Sequence, residues 1–105
     1  MQIEISTDNH IKGSAKLDQV VTELTIHGLK RFSSHITRVE VHLADENGSR
    51  TTPDDKRCTM EARLEGRKPT VATAHADTVE AAVRSAAVKL GRVLESELGR
   101  LDARR

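Results

Sequence analysis

Cysteine and histidine are the residue types in this sequence that most often bind metals or attack substrates. The chain has one cysteine, Cys58, and five histidines, which are His10, His27, His35, His42 and His75. The histidines share no ligand spacing, and Cys58 alternates with apolar residues as a core side chain does. We therefore predict a buried thiol, solvated histidines, no metal site and no cofactor.

The sequence patterns that define common enzyme sites are also missing. The chain has no glycine-rich phosphate loop, no His-Glu-x-x-His motif, no Gly-x-Ser-x-Gly turn and no paired-cysteine zinc spacing. We predict that the protein is not an enzyme and has no small-molecule substrate.

The remaining candidates for a functional role are the lysines and arginines, whose side chains can bind phosphate groups. The sequence holds 17 Lys and Arg against 16 Asp and Glu, which gives a formal net charge of +1. Any surface that binds nucleic acid must therefore be local.

Length and composition favour one small domain. With 105 residues, 36% of them hydrophobic, and Phe32 as the single aromatic residue, the chain can build one aliphatic core. We predict one domain over residues 1–105, with a loop at about 45–57 and a frayed end at about 102–105. The lone cysteine fits a reducing compartment, and neither a signal peptide nor a membrane-spanning apolar run is visible, so a soluble cytoplasmic protein is expected.

Apolar periodicity predicts the elements that position these residues. Alternation predicts strands over residues 2–6, 36–44, 58–65 and 71–76. Ser14 is expected to cap a first helix, and Asp77 or Thr78 a second one. The first helix is predicted to bury Leu17, Val20, Val21 and Leu24, and the second Val79, Ala82, Val83, Ala86, Leu90, Val93 and Leu94. The order β-α-β-β-β-α predicts an α+β fold, a four-stranded sheet with two helices packed on one face.

Three stretches of the chain resemble a known family. They are the opening Met-Gln-Ile-Glu-Ile, residues 28–43 at the passage from helix to strand, and residues 76–83, followed by Lys89-Leu90-Gly91-Arg92. In this order and spacing they are similar to the ribosome hibernation promoting factors, also called the sigma-54 modulation protein or S30EA ribosomal protein family. The resemblance implies a double-stranded-RNA-binding-like fold, which agrees with the periodicity.

The resemblance implies a short-form hibernation factor that binds the small ribosomal subunit and its rRNA. It would occupy the channel for messenger and transfer RNA under stress or in stationary phase and inhibit translation without catalysis. Basic side chains on the helices would bind rRNA phosphates, with a gain from counterion release. Three of them match basic positions of the family, namely Arg31, Lys89 and Arg92. Helix geometry adds Lys16 and Arg84, and the first helix is flanked by Lys12 and Lys30.

A second hypothesis is a non-catalytic protein-interaction or regulatory module on the same fold that has lost strong RNA binding. The chain has Gly28 where the family commonly has a lysine, and residues 77–105 carry six basic against five acidic side chains. Such a module would pair as a weak homodimer through Leu94, Leu98 and Leu101, although we expect these leucines to extend the core stripe. A continuous positive surface across both helices favours ribosome binding, and a mixed surface with an apolar helix end favours the module.

Overall fold

The computed structural model describes residues 1–46 and 55–103, with side chains up to residue 99. The elements along the chain are β1 (Gln2–Thr7), α1 (Ala15–Leu29), a 3₁₀ turn (Lys30–Phe32), β2 (Ile36–Asp45), β3 (Lys56–Leu64), β4 (Thr70–Ala76) and α2 (Val79–Ala103). This order confirms the predicted β-α-β-β-β-α arrangement and the α+β fold. The strand ends predicted from the alternation of apolar residues differ from those in the structure by at most two residues.

The four strands form one sheet in the order β1-β2-β3-β4. β1 runs parallel to β2, and β3 is antiparallel to both of its neighbours. The parallel pair needs a crossover, which α1 supplies. Both helices pack on the same face of the sheet, α2 against β3 and β4 and α1 against α2, so the other face is open.

The residue just before each helix accepts a hydrogen bond from a backbone N–H group in the first turn of that helix. Ser14 Oγ accepts from the backbone N–H of Leu17 at 3.0 Å, which confirms the predicted cap of α1. Thr78 Oγ1 accepts from the backbone N–H of Ala81 at 3.1 Å. Of the two predicted caps for α2, Thr78 is therefore the one that occupies this position.

The strands extend into the predicted loop from both sides. Asp45 pairs with Lys56 in the antiparallel register, and Ala44 pairs with Arg57. Asp45, Lys56 and Arg57 were predicted as loop because they are polar. In the structure they extend the strands, and Lys56 Nζ lies 3.2 Å from Asp45 Oδ2. Residues 47–54 of the predicted loop lie outside the described residues. At the other end, the backbone of α2 runs to Ala103, beyond the predicted start of fraying, and residues 104–105 lie outside the described residues.

The core lies between the sheet and the helices. The inward residues of β2 and β3 are buried as predicted, and so is most of the apolar stripe of α2: Val39, Val41, Leu43, Cys58, Met60, Ala62, Leu64, Ala82, Val83, Ala86, Leu90 and Leu94. Val93 was predicted to belong to this stripe but is 39% exposed. It lies on the flank of α2 between Lys89 and Glu97, which contact residues of the edge strand β4, and there it is only partly covered.

The buried line of α1 differs from the predicted one. Val21, Thr25 and Leu29, spaced by four residues, are the buried side chains of this helix. Leu17, Val20 and Leu24 are only partly buried. Thr25 enters the core because its hydroxyl donates to the carbonyl oxygen of Val21 at 2.8 Å, which satisfies the polar group within the helix.

Gly28 marks the closest approach of the two helices. A Cβ atom at this position would lie 2.7 Å from Cβ of Ala87 on α2. The glycine that weakens the last turns of α1 therefore has a packing role, because any larger side chain would push the helices apart.

Candidate nucleic-acid interface

All seven basic residues that the sequence singled out are exposed and lie on or beside the helices. Lys12 precedes α1 and Lys16 lies in its first turn, whereas Lys30 and Arg31 belong to the 3₁₀ turn that follows it. The remaining three are on α2, at positions Arg84, Lys89 and Arg92. The structure places five of these residues in two open grooves, whereas Arg31 makes a separate contact and Lys30 lines neither groove.

The first groove, named here the α2 groove, runs along the solvent side of α2. The three basic residues of this helix line it together with Ala81, Ser85 and Val88. Arg84 and Arg92 are eight residues apart, about 12 Å along the axis of an α-helix. Two guanidinium groups at this spacing can bind separate phosphates of one RNA strand.

The second groove, named here the N-terminal groove, lies between the starts of the two helices. It is lined by Lys12, Ser14, Lys16, Leu17, Val20 and Glu80. The carboxylate of Glu80 partly offsets the two ammonium groups, so this groove is less positive than the α2 groove. The two grooves together give a surface that spans both helices.

Arg31 is held in place by two neighbours. Its Nη2 atom lies 3.5 Å from Oε2 of Glu95, and its guanidinium carbon lies 4.7 Å from the centre of the Phe32 ring. Such a stack holds the planar group flat on the ring. Phe32 itself is buried and belongs to the hydrophobic core. Glu95 therefore reduces the free charge of Arg31.

Lys89 lies in the α2 groove, but its ammonium group is turned toward the sheet. Lys89 Nζ donates to the backbone carbonyl oxygen of Thr73 at 3.2 Å. Thr73 belongs to β4, which is an edge strand. Lysines often cover such edges and prevent the addition of another strand, so Lys89 has a structural contact besides any role in RNA binding.

The outward face of the sheet also carries arginines, but these are neutralised. Arg38 pairs with Glu4, Arg63 Nε lies 3.2 Å from Oε2 of Glu40, and Arg57 Nη1 lies 3.2 Å from Oε1 of Glu46. On the helical side, within the described residues, the cations without a carboxylate partner are Lys12, Lys16, Lys30, Arg84, Lys89 and Arg92. Arg67 and Lys68, in the turn before β4, are likewise exposed and without an ion pair among the described residues, but six of the eight such cations lie on the helical side.

The carboxylate of Glu40, on the outward face of the sheet, remains charged near neutral pH. Glu40 stands in register between Glu4 and Glu61 on the neighbouring strands. A hydrogen bond with Glu61 lowers the pKa of Glu40 and outweighs burial, which raises it; the charges of Arg38 and Arg63 lower the pKa further. Glu40 thus stays ionised beside both arginines.

The structure confirms the predicted burial of Cys58 and the predicted exposure of the histidines. Cys58 is fully buried, and burial raises the pKa of its thiol to about 12, so almost no reactive thiolate is present. All five histidines are exposed. Among the described residues, no three potential ligands come together to hold a metal ion.

Over the same part of the chain, no helix is both long and apolar enough to cross a membrane.

Asp8 and a buried ion-pair cluster were missed by the sequence reasoning. The carboxylate of Asp8 accepts hydrogen bonds from the backbone N–H groups of His10, Ile11 and Asp45, at 3.0 to 3.1 Å. Burial tends to raise the pKa of Asp8, but these bonds outweigh it and lower the pKa. The Asp8-Asn9 pair before a turn was the available signal, since such residues bind the backbone just after them.

The ion-pair cluster joins the described ends of β2 and β3. Lys56 Nζ lies 2.7 Å from Oδ1 of the buried Asp55 and 3.2 Å from Oδ2 of the buried Asp45. The hydrogen bond with Asp55 raises the pKa of Lys56 and outweighs burial, which lowers it. No residue spacing in the sequence predicts this cluster, which links the ends of β2 and β3.

Two of the three leucines proposed for a homodimer contact are not exposed. Leu94 and Leu98 are buried in the core, as the extension of the apolar stripe predicts, and the side chain of Leu101 lies outside the described residues. The suggested homodimer contact therefore loses two of its three side chains.

Fold and surface together define a small α+β domain with a neutral sheet face and a helical face that carries the free cations. The profile of the family described as Sigma 54 modulation protein / S30EA ribosomal protein matches residues 3–102. The chain belongs to this family, which confirms the resemblance seen in the sequence.

Two solved structures share the fold. A ribosomal subunit interface protein from Coxiella burnetii superposes with a TM-score of 0.77 at 16% identity, over 94% of this chain and 99% of that one. The N-terminal domain of Protein Y from Thermus thermophilus gives a TM-score of 0.66 at 14% identity, over 89% of this chain and 99% of that one. No curated protein matches the sequence significantly.

Proposed function

We propose that this protein is a ribosome hibernation factor that binds the small ribosomal subunit and its rRNA through the helical face. It acts as a single domain over residues 1–105, in the cytoplasm, under stress or in stationary phase. Membership in a family of modulation and ribosomal proteins supports the ribosome as partner. The observation that carries the choice of face is the unequal pairing of charge: among the described residues, the sheet arginines pair with glutamates, whereas the helical cations other than Arg31 have no carboxylate partner.

The proposed mechanism is occupation of the channel for messenger and transfer RNA. Each phosphate contact releases condensed counterions from the RNA, so a few clustered cations suffice for binding. The shape of the α+β domain, rather than contacts to base edges, sets its position on structured RNA. While the protein is bound, translation is blocked without any bond being made or broken, which agrees with the absence of catalytic motifs. The described subunit interface protein with this fold is consistent with that placement.

Co-sedimentation with purified small ribosomal subunits over a salt series tests the proposal. The test variant is Arg84→Glu with Arg92→Glu, because neither residue has an ion-pair partner among the described residues. A matched control is Arg67→Glu with Lys68→Glu in the turn before β4, which changes the net charge equally. Lys89 is left unchanged because it contacts β4, and Arg31 because Glu95 already pairs with it.

The wild type is expected to bind saturably and more weakly as salt rises. The α2 variant should bind at least tenfold more weakly at low salt, and the slope of log K against log salt should fall by about 1.5 for two lost phosphate contacts. The control should behave like the wild type apart from a small non-specific loss. Absence of saturable binding by the wild type at low salt would overturn the proposal and favour the protein-interaction module.

A further inference from the structure

Val88 is a half-exposed apolar side chain in the middle of the α2 groove. It is 53% exposed, and it lies four residues after Arg84 and four before Arg92. On a helix this spacing places the three side chains in one row, with the valine about 6 Å along the axis from each arginine. Lone exposed valines are common, but this one lies between two guanidinium groups that have no ion-pair partner within the described part of the chain.

The rest of the groove leaves the valine open to a ligand. Ala81 and Ser85 line the groove with it, and their short side chains do not cover Val88. The ammonium of Lys89 is turned away toward Thr73. A ligand that binds both arginines therefore lies directly over Val88.

We propose that Val88 packs against the ribose or base of an rRNA nucleotide whose flanking phosphates bind Arg84 and Arg92. A nucleic-acid strand alternates anionic phosphates with apolar sugar and base surfaces, which is the complement of the row arginine, valine, arginine. An acidic amphipathic peptide offers a similar pattern, but membership in a family of ribosomal proteins favours RNA. The assignment rests on the proposed function and adds an apolar contact to it.

Substitution by serine isolates this contact because it changes no charge. Val88→Ser is compared with Val93→Ser, an exposed valine on the flank of the same helix that is outside the groove. Burial of the exposed half of a valine predicts about fivefold weaker binding of Val88→Ser to small subunits. The loss should be equal at every salt concentration, whereas Arg92→Gln should flatten the salt dependence. Val93→Ser should bind like the wild type.

The outcomes separate this assignment from the proposed function. If the wild type binds and Val88→Ser binds equally well, the apolar contact is wrong while ribosome binding stands. If the wild type does not bind, the proposed function itself fails. A photo-crosslinking amino acid at position 88 then identifies the ligand on bound subunits: a nuclease-sensitive product supports an rRNA contact, and a product with a ribosomal protein overturns it.

Discussion

Replacement of Gly28 by alanine tests the contact that sets the distance between the two helices. The added Cβ would lie 2.7 Å from Cβ of Ala87, well inside the 3.4 Å at which ordinary van der Waals contact begins. Alanine is favoured over glycine in a helix by about 1 kcal/mol, and overpacking of this kind costs about 1–3 kcal/mol. We therefore expect the free energy of unfolding to fall by about 1 kcal/mol and the melting temperature by about 5 °C.

Urea unfolding followed by helical circular dichroism measures this difference. The matched control is Gly99→Ala, since a Cβ at this position on α2 meets no atom within 4 Å. That variant should gain up to about 1 kcal/mol from helix propensity alone. Combining Gly28→Ala with Ala87→Gly should recover part of the loss beyond additivity, because it restores space at the contact. If Gly28→Ala stabilises the protein as much as Gly99→Ala does, the close contact does not limit the helix spacing.

Three further predictions concern Cys58, Asp8 and the contact of Lys89 with the edge strand. Because the pKa of Cys58 is raised to about 12, an aromatic disulfide reagent at pH 8 should label the folded protein at least about a hundredfold more slowly than the urea-unfolded chain; equal rates would contradict its burial. The lowered pKa of Asp8 means that its hydrogen bonds stabilise the fold above the usual carboxyl pKa and that this stabilisation is lost as pH falls through the folded-state value. Asp8→Asn should thus cost about 1 kcal/mol at pH 7 and progressively less below about pH 4 in urea titrations, and a gap independent of pH would refute this account. Lys89→Ala uncovers the Thr73 carbonyl on the edge strand, so it should self-associate more than Arg92→Ala in light scattering at equal concentration.

The strands and the core face of α2 were predictable because one face of each is covered continuously. Where one face is covered along its whole length, every position on that face is apolar, so the spacing of apolar residues shows the type of element, as in β2 and β3. In α1 the pattern failed because the buried line includes Thr25, whose hydroxyl is satisfied only once the helix has formed. Gly28 likewise has no local signal, since its role depends on Ala87, 59 positions later in the chain.

For the candidate site, the sequence predicted which cations are exposed but not which are free. The partner of Arg31 is Glu95, and that of Lys89 is the carbonyl oxygen of Thr73; both contacts join different elements of the fold. Glu95 is one of the five acidic residues that make residues 77–105 nearly neutral, and in the structure its carboxylate lies 3.5 Å from the guanidinium of Arg31. Such long-range pairs have no fixed spacing, so only the folded chain separates Arg84 and Arg92 from the rest.

The parallel pairing of β1 with β2 has a consequence for the order of folding. β2, β3 and β4 are antiparallel neighbours, so their ladders form between adjacent segments as the chain is made. β1 is synthesised first, but its partner positions begin at Arg38, beyond the whole of α1. Closing that crossover has an entropic cost before any bond to β1 forms. We therefore expect the N-terminal strand to join the sheet last and to exchange its amide hydrogens fastest.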